Sequence, residues 1–198
     1  IYTSINTLSL HDALPICFAV GHEFVGVVED VGLAVRGIRK GDRVLASCTT
    51  GCGSCAPCRE QLHSACTVTT ANGAQAVFGF SSALSGAQAE AVRVPFADVN
   101  LFRIPDALSD EQALFLTDIL PTGYMGAELA GVGAGDVVVV FGCGPVGAFA
   151  QRAAQLRGAA RVLAVDLDAQ RLALAGARGC ETIDPSREDL GARVLAAT

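Results

Sequence analysis

From Ala19 onward the apolar residues fall in short, β-branched runs separated by glycine. Residues 25–29 (VGVVE) and 42–46 (DRVLA) are two such runs, punctuated by Gly21, Gly26, Gly32, Gly37 and Gly41. Valine-rich runs of this length, bounded by turn residues, predict strands of a small barrel-like β domain rather than helices. Another strand is expected at residues 91–95, with the β-rich part ending near Pro105. From Ser109 the period changes. Ser109 with Gln112 three residues on is a capping box, and it opens a helical run through Leu120 toward Pro121 and Gly123. Residues 136–141 (DVVVVF) then read as a buried strand, followed at once by a glycine-rich turn and a helical stretch to about Arg157. Residues 161–165 read as the next strand, and 181–183 as the start of a third. The expected division is a β domain over residues 17–112 and an α/β domain over residues 113–198.

Composition narrows the function. At 198 residues, 51% hydrophobic and 17% charged, the chain is long enough for one good core or parts of two. The longest purely aliphatic or aromatic run, residues 137–141, is far short of the roughly 20 residues that a membrane helix needs. No basic region precedes an apolar stretch at the start, so neither a membrane span nor secretion is expected, and the cytoplasm is the expected location. A net charge of -6 with no basic stripe argues against nucleic acid, because phosphate binding draws on clustered Lys and Arg. Of eight cysteines, four crowd into residues 52–66 at metal-ligand spacing, which favours reduced thiolates over disulfides.

Residues 1–16 (IYTSINTLSLHDALPI) read as a translated sequencing adapter. His11, Asp12 and the hybrid-codon Cys17 are therefore set aside as functional candidates.

Two motifs carry chemistry by their own spacing. Cys52, Cys55, Cys58 and Cys66 put four soft ligands on a small loop with glycine and proline at its bends, a pattern that matches the closed, tetrahedral four-thiolate coordination of structural zinc. Cys48 and His63 lie nearby, but tetrahedral zinc takes four ligands and they are read as spectators. Gly142, Gly144 and Gly147 form a G-x-G-x-x-G turn between a strand and a helix. The first glycine permits the tight turn, the second admits a pyrophosphate, and the third lets helix and strand pack closely. Pro145 and Val146 open the helix, whose N–H groups would face phosphate. Asp166 closes the next strand and can bind both ribose hydroxyls while repelling a 2'-phosphate, so NAD is expected over NADP. Arg171, five residues on, is a further cofactor candidate.

The segments GHEFVGVVEDVG (residues 21–32), GDRV (41–44), the four-cysteine lobe, TDILPTGYMGAELAG (117–131) and FGCGPVG (141–147) occur in an order that resembles the zinc-containing medium-chain alcohol dehydrogenases, particularly their formaldehyde and secondary-alcohol branch. The resemblance covers essentially residue 20 onward. It implies a GroES-like, β-barrel-type catalytic domain followed by a truncated Rossmann sheet. It makes His22 and Asp118 ligands of a catalytic zinc, with Glu23 able to approach the metal during ligand exchange, and it places Thr122 and Gly123 near the nicotinamide. It implies hydride transfer between a small alcohol, or the matching aldehyde or ketone, and NAD, in a homo-oligomer when complete. Met125 stands where several such relatives have histidine, and the upstream cysteine ligand is replaced by the adapter-like segment. No turnover is expected of the chain as written. Two other readings, a non-catalytic zinc-binding module and a zinc-free quinone-reductase relative, leave respectively the nucleotide turn and the His22, Asp118 pair unexplained.

Overall fold

The computed structural model describes residues 18–70 and 76–198. The adapter reading of residues 1–16 and Cys17 lies outside the described residues. Two compact units divide the chain, Ile1–Asp118 and Ile119–Thr198, six residues later than the expected boundary (118 against 112).

In the first unit the strands β1 (Val25–Val27) and β2 (Arg43–Ala46) form where the valine-rich runs predict them. A one-turn helix α1 (Ala56–Arg59) follows in the cysteine lobe, and a second, α2 (Ala97–Asn100), leads directly into β3 (Leu101–Arg103). The sheet is antiparallel in the order β1-β2-β3, with Val25 opposite Leu45 and Val44 opposite Arg103. Alternation along β2 splits its side chains between two cores. Val44 and Ala46 join Val28, Ile38, Phe78, Val94, Ala97 and Leu101, while Leu45 packs with Ile104 and Ala113.

The strand expected at residues 91–95 does not form. Val94 is buried and Val92 packs on the same core, so the apolar pattern is honoured, yet no ladder pairs this segment among the described residues. The third strand is β3 instead, reached through Phe96 in the left-handed region at φ +48°, which turns the chain sharply into α2.

The capping box holds. Ser109 Oγ accepts from the Gln112 N–H at 3.3 Å and the Gln112 side chain accepts from the Ser109 N–H at 3.0 Å, opening α3 (Asp110–Leu114). The expected single helical run is in fact two helices, because a turn at residues 115–118 separates α3 from α4 (Ile119–Leu129). Pro121 and Gly123 lie inside α4 rather than ending it. Pro121 is third in the helix, where the N–H it lacks would have no intrahelical partner. A Cβ at Gly123 would come within 2.7 Å of Ala150 N, so glycine there permits α4 to pack closely on the next helix.

The second unit continues with β4 (Val137–Phe141), α5 (Pro145–Leu156), β5 (Arg161–Val165), α6 (Ala169–Ala177), β6 (Glu181–Ile183) and α7 (Leu190–Leu195). The sheet is parallel in the order β4-β5-β6, with Val137 opposite Arg161 and Leu163 opposite Glu181. Its two faces bury separate cores, Val162 and Ala164 with the α5 and α6 alanines on one side, Leu163, Val165 and Ile183 on the other. β5 is buried on both faces and reads as an unbroken apolar run; β4, expected as a buried strand, is only half-buried along its valines and leaves Phe141 exposed. Among the described residues no helix is long and apolar enough to cross a membrane.

Candidate functional site

His22 and Asp118, 96 positions apart in sequence (118 less 22), meet in the first unit with Nε2 and Oδ2 2.9 Å apart. Their side chains are 30% and 23% exposed, so the pair is open to a small molecule and partly shielded from water. Asp118 follows a turn locked by Thr117, whose hydroxyl donates to the Leu114 carbonyl at 2.7 Å. His22 follows Gly21, whose φ of +98° is ready only for glycine. The half-buried Cys48 lies by the pair. Its N–H donates to the Thr117 carbonyl, and burial together with the Asp118 charge pushes its thiol up to about 11. Two ligand atoms on one tetrahedral zinc sit about 3.3 Å apart for bonds near 2.0 to 2.1 Å. A nitrogen and a carboxylate oxygen at 2.9 Å therefore need to open by only a few tenths of an ångström to share an ion.

Glu23, next along, adds to the negative charge that raises the Cys48 thiol. Among the described residues the cysteine quartet is the one group of three or more His, Cys, Asp or Glu with ligand atoms mutually within 4.8 Å, so neither Glu23 nor Cys48 completes such a group with His22 and Asp118. Thr122 is half-buried in the first turn of α4, in the second unit.

The lobe sequence places Cys52, Cys55, Cys58 and Cys66 in one cluster. The Cys55 and Cys66 sulfurs are 3.8 Å apart, the edge of a tetrahedron with metal-sulfur bonds of about 2.3 Å. Backbone N–H groups aim at these sulfurs: Cys52 and Thr69 donate to Cys66 Sγ, and Ser54 and Cys55 donate to Cys52 Sγ. Such donors favour thiolate over thiol. Desolvation would raise Cys66, but hydrogen bonds from Thr69 and Cys52 outweigh it and hold this thiol at about 5. At Cys58 desolvation wins and pushes the thiol up to about 11. The donor set and spacing fit one closed tetrahedral ion. His63 stands outside the quartet, with its ring against Gly51, where an added Cβ would lie 3.0 Å from the His63 side chain.

In the second unit the glycine-rich turn has the geometry its sequence predicts. Gly142 has φ +91°, and a Cβ on Gly147 would lie 1.9 Å from the Gly142 carbonyl oxygen, so no side chain fits at the third glycine. Pro145 is the first residue of α5, with Gly144 as its cap. Asp166 reaches back across the turn. One carboxylate oxygen accepts from the Cys143 N–H at 2.7 Å, and the other from the N–H groups of Leu167 and Asp168 at 2.7 and 2.9 Å. Hydrogen bonds from Asp168 and then Cys143 hold its carboxyl below the ordinary carboxylate range. Arg171, on the first turn of α6, brings Nη1 within 3.9 Å of both Asp166 Oδ2 and the Cβ position of Gly144.

Sequence reasoning missed Gln151. Its buried amide donates to Cys143 Sγ at 3.2 Å and accepts from Cys180 Sγ at 3.8 Å, so the two thiols are tied beneath the turn rather than merely packed. The available signal was spacing: Gly147, Gln151 and Ala154 share one face of α5, and a glutamine on that buried face needs partners.

Comparison with known proteins identifies the family. A family model described as the alcohol dehydrogenase GroES-like domain matches residues 2–106. The uncharacterized zinc-type alcohol dehydrogenase-like protein AdhB of Bacillus subtilis is 44% identical over 161 residues, 78% of this chain and 43% of that protein. The glutathione-independent formaldehyde dehydrogenase of Pseudomonas aeruginosa is 39% identical over 175 residues, 85% of this chain and 44% of its own length. Among solved structures, the alcohol dehydrogenase TADH from Thermus sp. ATN1 superposes with a TM-score of 0.85 at 38% identity, covering 93% of this chain and 53% of that one. The chain thus spans about half the length of the relatives it matches. With the GroES-like match over more than half of its residues, the paired histidine and aspartate, the four-cysteine lobe and the nucleotide-type turn, the chain belongs to the zinc-type alcohol dehydrogenase family.

Proposed function

We propose that the protein to which this chain belongs is a zinc-dependent, NAD-linked oxidoreductase that interconverts a small alcohol and its aldehyde or ketone, working in the cytoplasm as a homo-oligomer. The observation that carries the reading is the His22–Asp118 contact at 2.9 Å, made by residues 96 positions apart and separate from the cysteine cluster. A histidine nitrogen and a carboxylate oxygen are donors suited to a catalytic rather than a structural zinc, and a site with few protein ligands keeps a position open for substrate. Bound there, zinc would supply Lewis acidity toward an alcohol or carbonyl oxygen, and NAD would supply the hydride acceptor.

The chain's own residues do the rest. His22 and Asp118 fix the metal position, and the Asp118 carboxylate, a harder ligand than thiolate, leaves more positive charge on the ion. Glu23 adds a second carboxylate close by for ligand exchange. Thr122 serves the nicotinamide side. Gly142, Gly144, Pro145, Val146 and Gly147 admit the pyrophosphate to the backbone N–H groups that open α5. Asp166, anchored by three backbone donors, presents negative charge where a ribose 2'-oxygen would lie, which favours NAD over NADP; Arg171 beside it holds a positive charge over the same turn. The four cysteines hold their lobe together and take no part in the reaction.

The test is zinc per chain by elemental analysis of the full-length protein to which this chain belongs, after dialysis against micromolar zinc, with an Asp118→Ala variant alongside. Two zincs falling to one in the variant is the expected result. One zinc in both would reduce the protein to its structural-zinc lobe and remove the catalytic reading.

A further inference from the structure

The three residues before His22 are gripped by a loop more than fifty positions away in sequence, and we propose that this loop, through Gly79 and Gly86, is the positioning element that aims His22 at Asp118. The inference rests on the reading of His22 and Asp118 as metal ligands. The Gly86 N–H donates to the Ala19 carbonyl at 2.6 Å, the Gln88 N–H to the Val20 carbonyl at 2.9 Å, and the Ala87 N–H to the Gly21 carbonyl at 3.0 Å. These bonds fix residues 19–21 backbone to backbone. The approach leaves no room for a side chain. A Cβ on Gly86 would lie 2.3 Å from the Val20 carbonyl carbon, and one on Gly79 2.6 Å from the Gly21 nitrogen. Both obstacles are main-chain atoms, which cannot turn aside as a flexible side chain would. Gly79 also has φ +73°, strained for any side chain, and its N–H closes the loop on the Leu84 carbonyl at 2.9 Å.

The same loop reaches both ligands. Phe80 packs edge-on against the His22 ring, centroids 5.5 Å apart, although it is 55% exposed. At the other end, the Phe78 N–H donates to the Cys48 carbonyl at 3.2 Å, and the Cys48 N–H donates to the carbonyl of Thr117, the neighbour of Asp118, at 3.1 Å. A continuous backbone path thus runs from the residues before His22, through the loop, to the residue before Asp118. Its rigidity sets the separation of the two donor atoms.

Gly86→Ala tests this, with Gly26→Ala as control because a Cβ at Gly26 meets nothing within 4 Å. Co2+ titration distinguishes the sites: the cysteine quartet gives a thiolate charge-transfer band, the His22–Asp118 site only weak visible bands. In Gly86→Ala the first signal should persist, showing a folded first unit, while the second weakens by about 10–100-fold, as for loss of a ligand-orienting group; Gly26→Ala should match the parent. Equal second-site affinity in Gly86→Ala overturns the proposal. A metal-free readout runs in parallel. The Asp118 carboxylate can only accept, so the His22 Nε2–H donates to it, and NMR of the histidine-labelled chain should show that proton in the parent and in Gly26→Ala but not in Gly86→Ala. Its persistence in Gly86→Ala likewise overturns the proposal. If the parent takes up no second Co2+, the metal reading fails and the imidazole proton still decides whether the loop aims His22. If Gly86→Ala lacks the thiolate band, Phe80→Ala, a change at a half-exposed ring, takes its place: loss of the second-site signal or of the Nε2–H resonance supports the proposal, and no change in either overturns it.

Discussion

At Asn100 one side chain does the work of several. It is fully buried, accepts from the Gly51 N–H at 2.9 Å, and donates to the carbonyls of Gly51 and Pro95 at 2.9 Å and of Phe96 at 3.3 Å. Those contacts join the start of the cysteine lobe to the left-handed turn at Phe96 that launches α2. Replacing Asn100 by leucine keeps the branching of the side chain but strands the Gly51 N–H and the carbonyls of Gly51 and Pro95, while the Phe96 carbonyl keeps its bonds from the Val99 and Asn100 N–H groups. Each unsatisfied buried group costs about 1–3 kcal/mol, so a loss of roughly 2–5 kcal/mol is expected in urea unfolding of the zinc-loaded chain. A change under about 1 kcal/mol would mean that water reaches the turn. The second unit has a counterpart in Gln151, whose amide ties Cys143 to Cys180 under the nucleotide turn. Burial raises both thiols, so they are poor nucleophiles and their contribution is to hold the turn.

At the scale of elements, the loops at the C-terminal ends of β5 and β6 depend on ionised carboxylates. Asp166 after β5 and Asp184 after β6 both accept local N–H groups, and hydrogen bonds hold both below the ordinary carboxylate range, from Asp168 first in one case and from the Ser186 hydroxyl first in the other. A carboxyl depressed in the folded state stabilises fully above its unfolded value, about 3.9 for aspartate. That stabilisation is lost as pH falls through the lower folded value. Amide exchange in β4 to β6 should therefore accelerate on acidification below about pH 4, and the dependence should flatten in Asp166→Asn. An unchanged slope would show that these hydrogen bonds do not survive in solution. Much of this unit could be read from sequence, because residues 161–165 are a run whose burial needs no distant partner to be recognised. The first unit was less legible. Leu101–Arg103 is a three-residue strand after a sharp turn, too short to show alternation, while residues 91–95 have strand-like composition and no ladder among the described residues. The site divides in the same way. The cysteine spacing and the glycine turn are local and carry their chemistry openly, and His22 and Asp118 were found through resemblance. Gly79, Gly86 and Asn100 act on backbone brought in from elsewhere, which no local pattern records.

For the whole molecule the decisive asymmetry is that one unit contains a segment with no apolar core of its own. Around residues 52–66 the buried cluster consists of cysteines: Cys52, Cys58 and Cys66, with Cys55 packed against them. The lobe's helix α1 is a single turn, and its ties include Asn100 to Gly51, the Thr50 N–H to the Ala76 carbonyl at 2.7 Å and the Thr69 hydroxyl to the Thr50 carbonyl at 2.8 Å. Four thiols gathered within 4.8 Å offer little hydrophobic gain against the entropy of ordering the loop, and if ionised together they repel. Metal binding reverses this, since structural zinc contributes about 10–16 kcal/mol at neutral pH in small peptides and that energy becomes folding energy. The second unit carries none of the four ligands and has separate cores of Val162, Ala164 and Leu172 on one face and Leu163, Val165 and Ile183 on the other. Chelation should therefore act on one unit. In hydrogen exchange with a strong chelator, protection should vanish across the lobe and trypsin should gain access to Arg59, while β4 to β6 keep their protection. Persistent protection of the lobe would mean that its backbone bonds suffice without metal. Equal loss in both units would mean that the second unit draws its stability from the first, because nothing in its own cores responds to zinc.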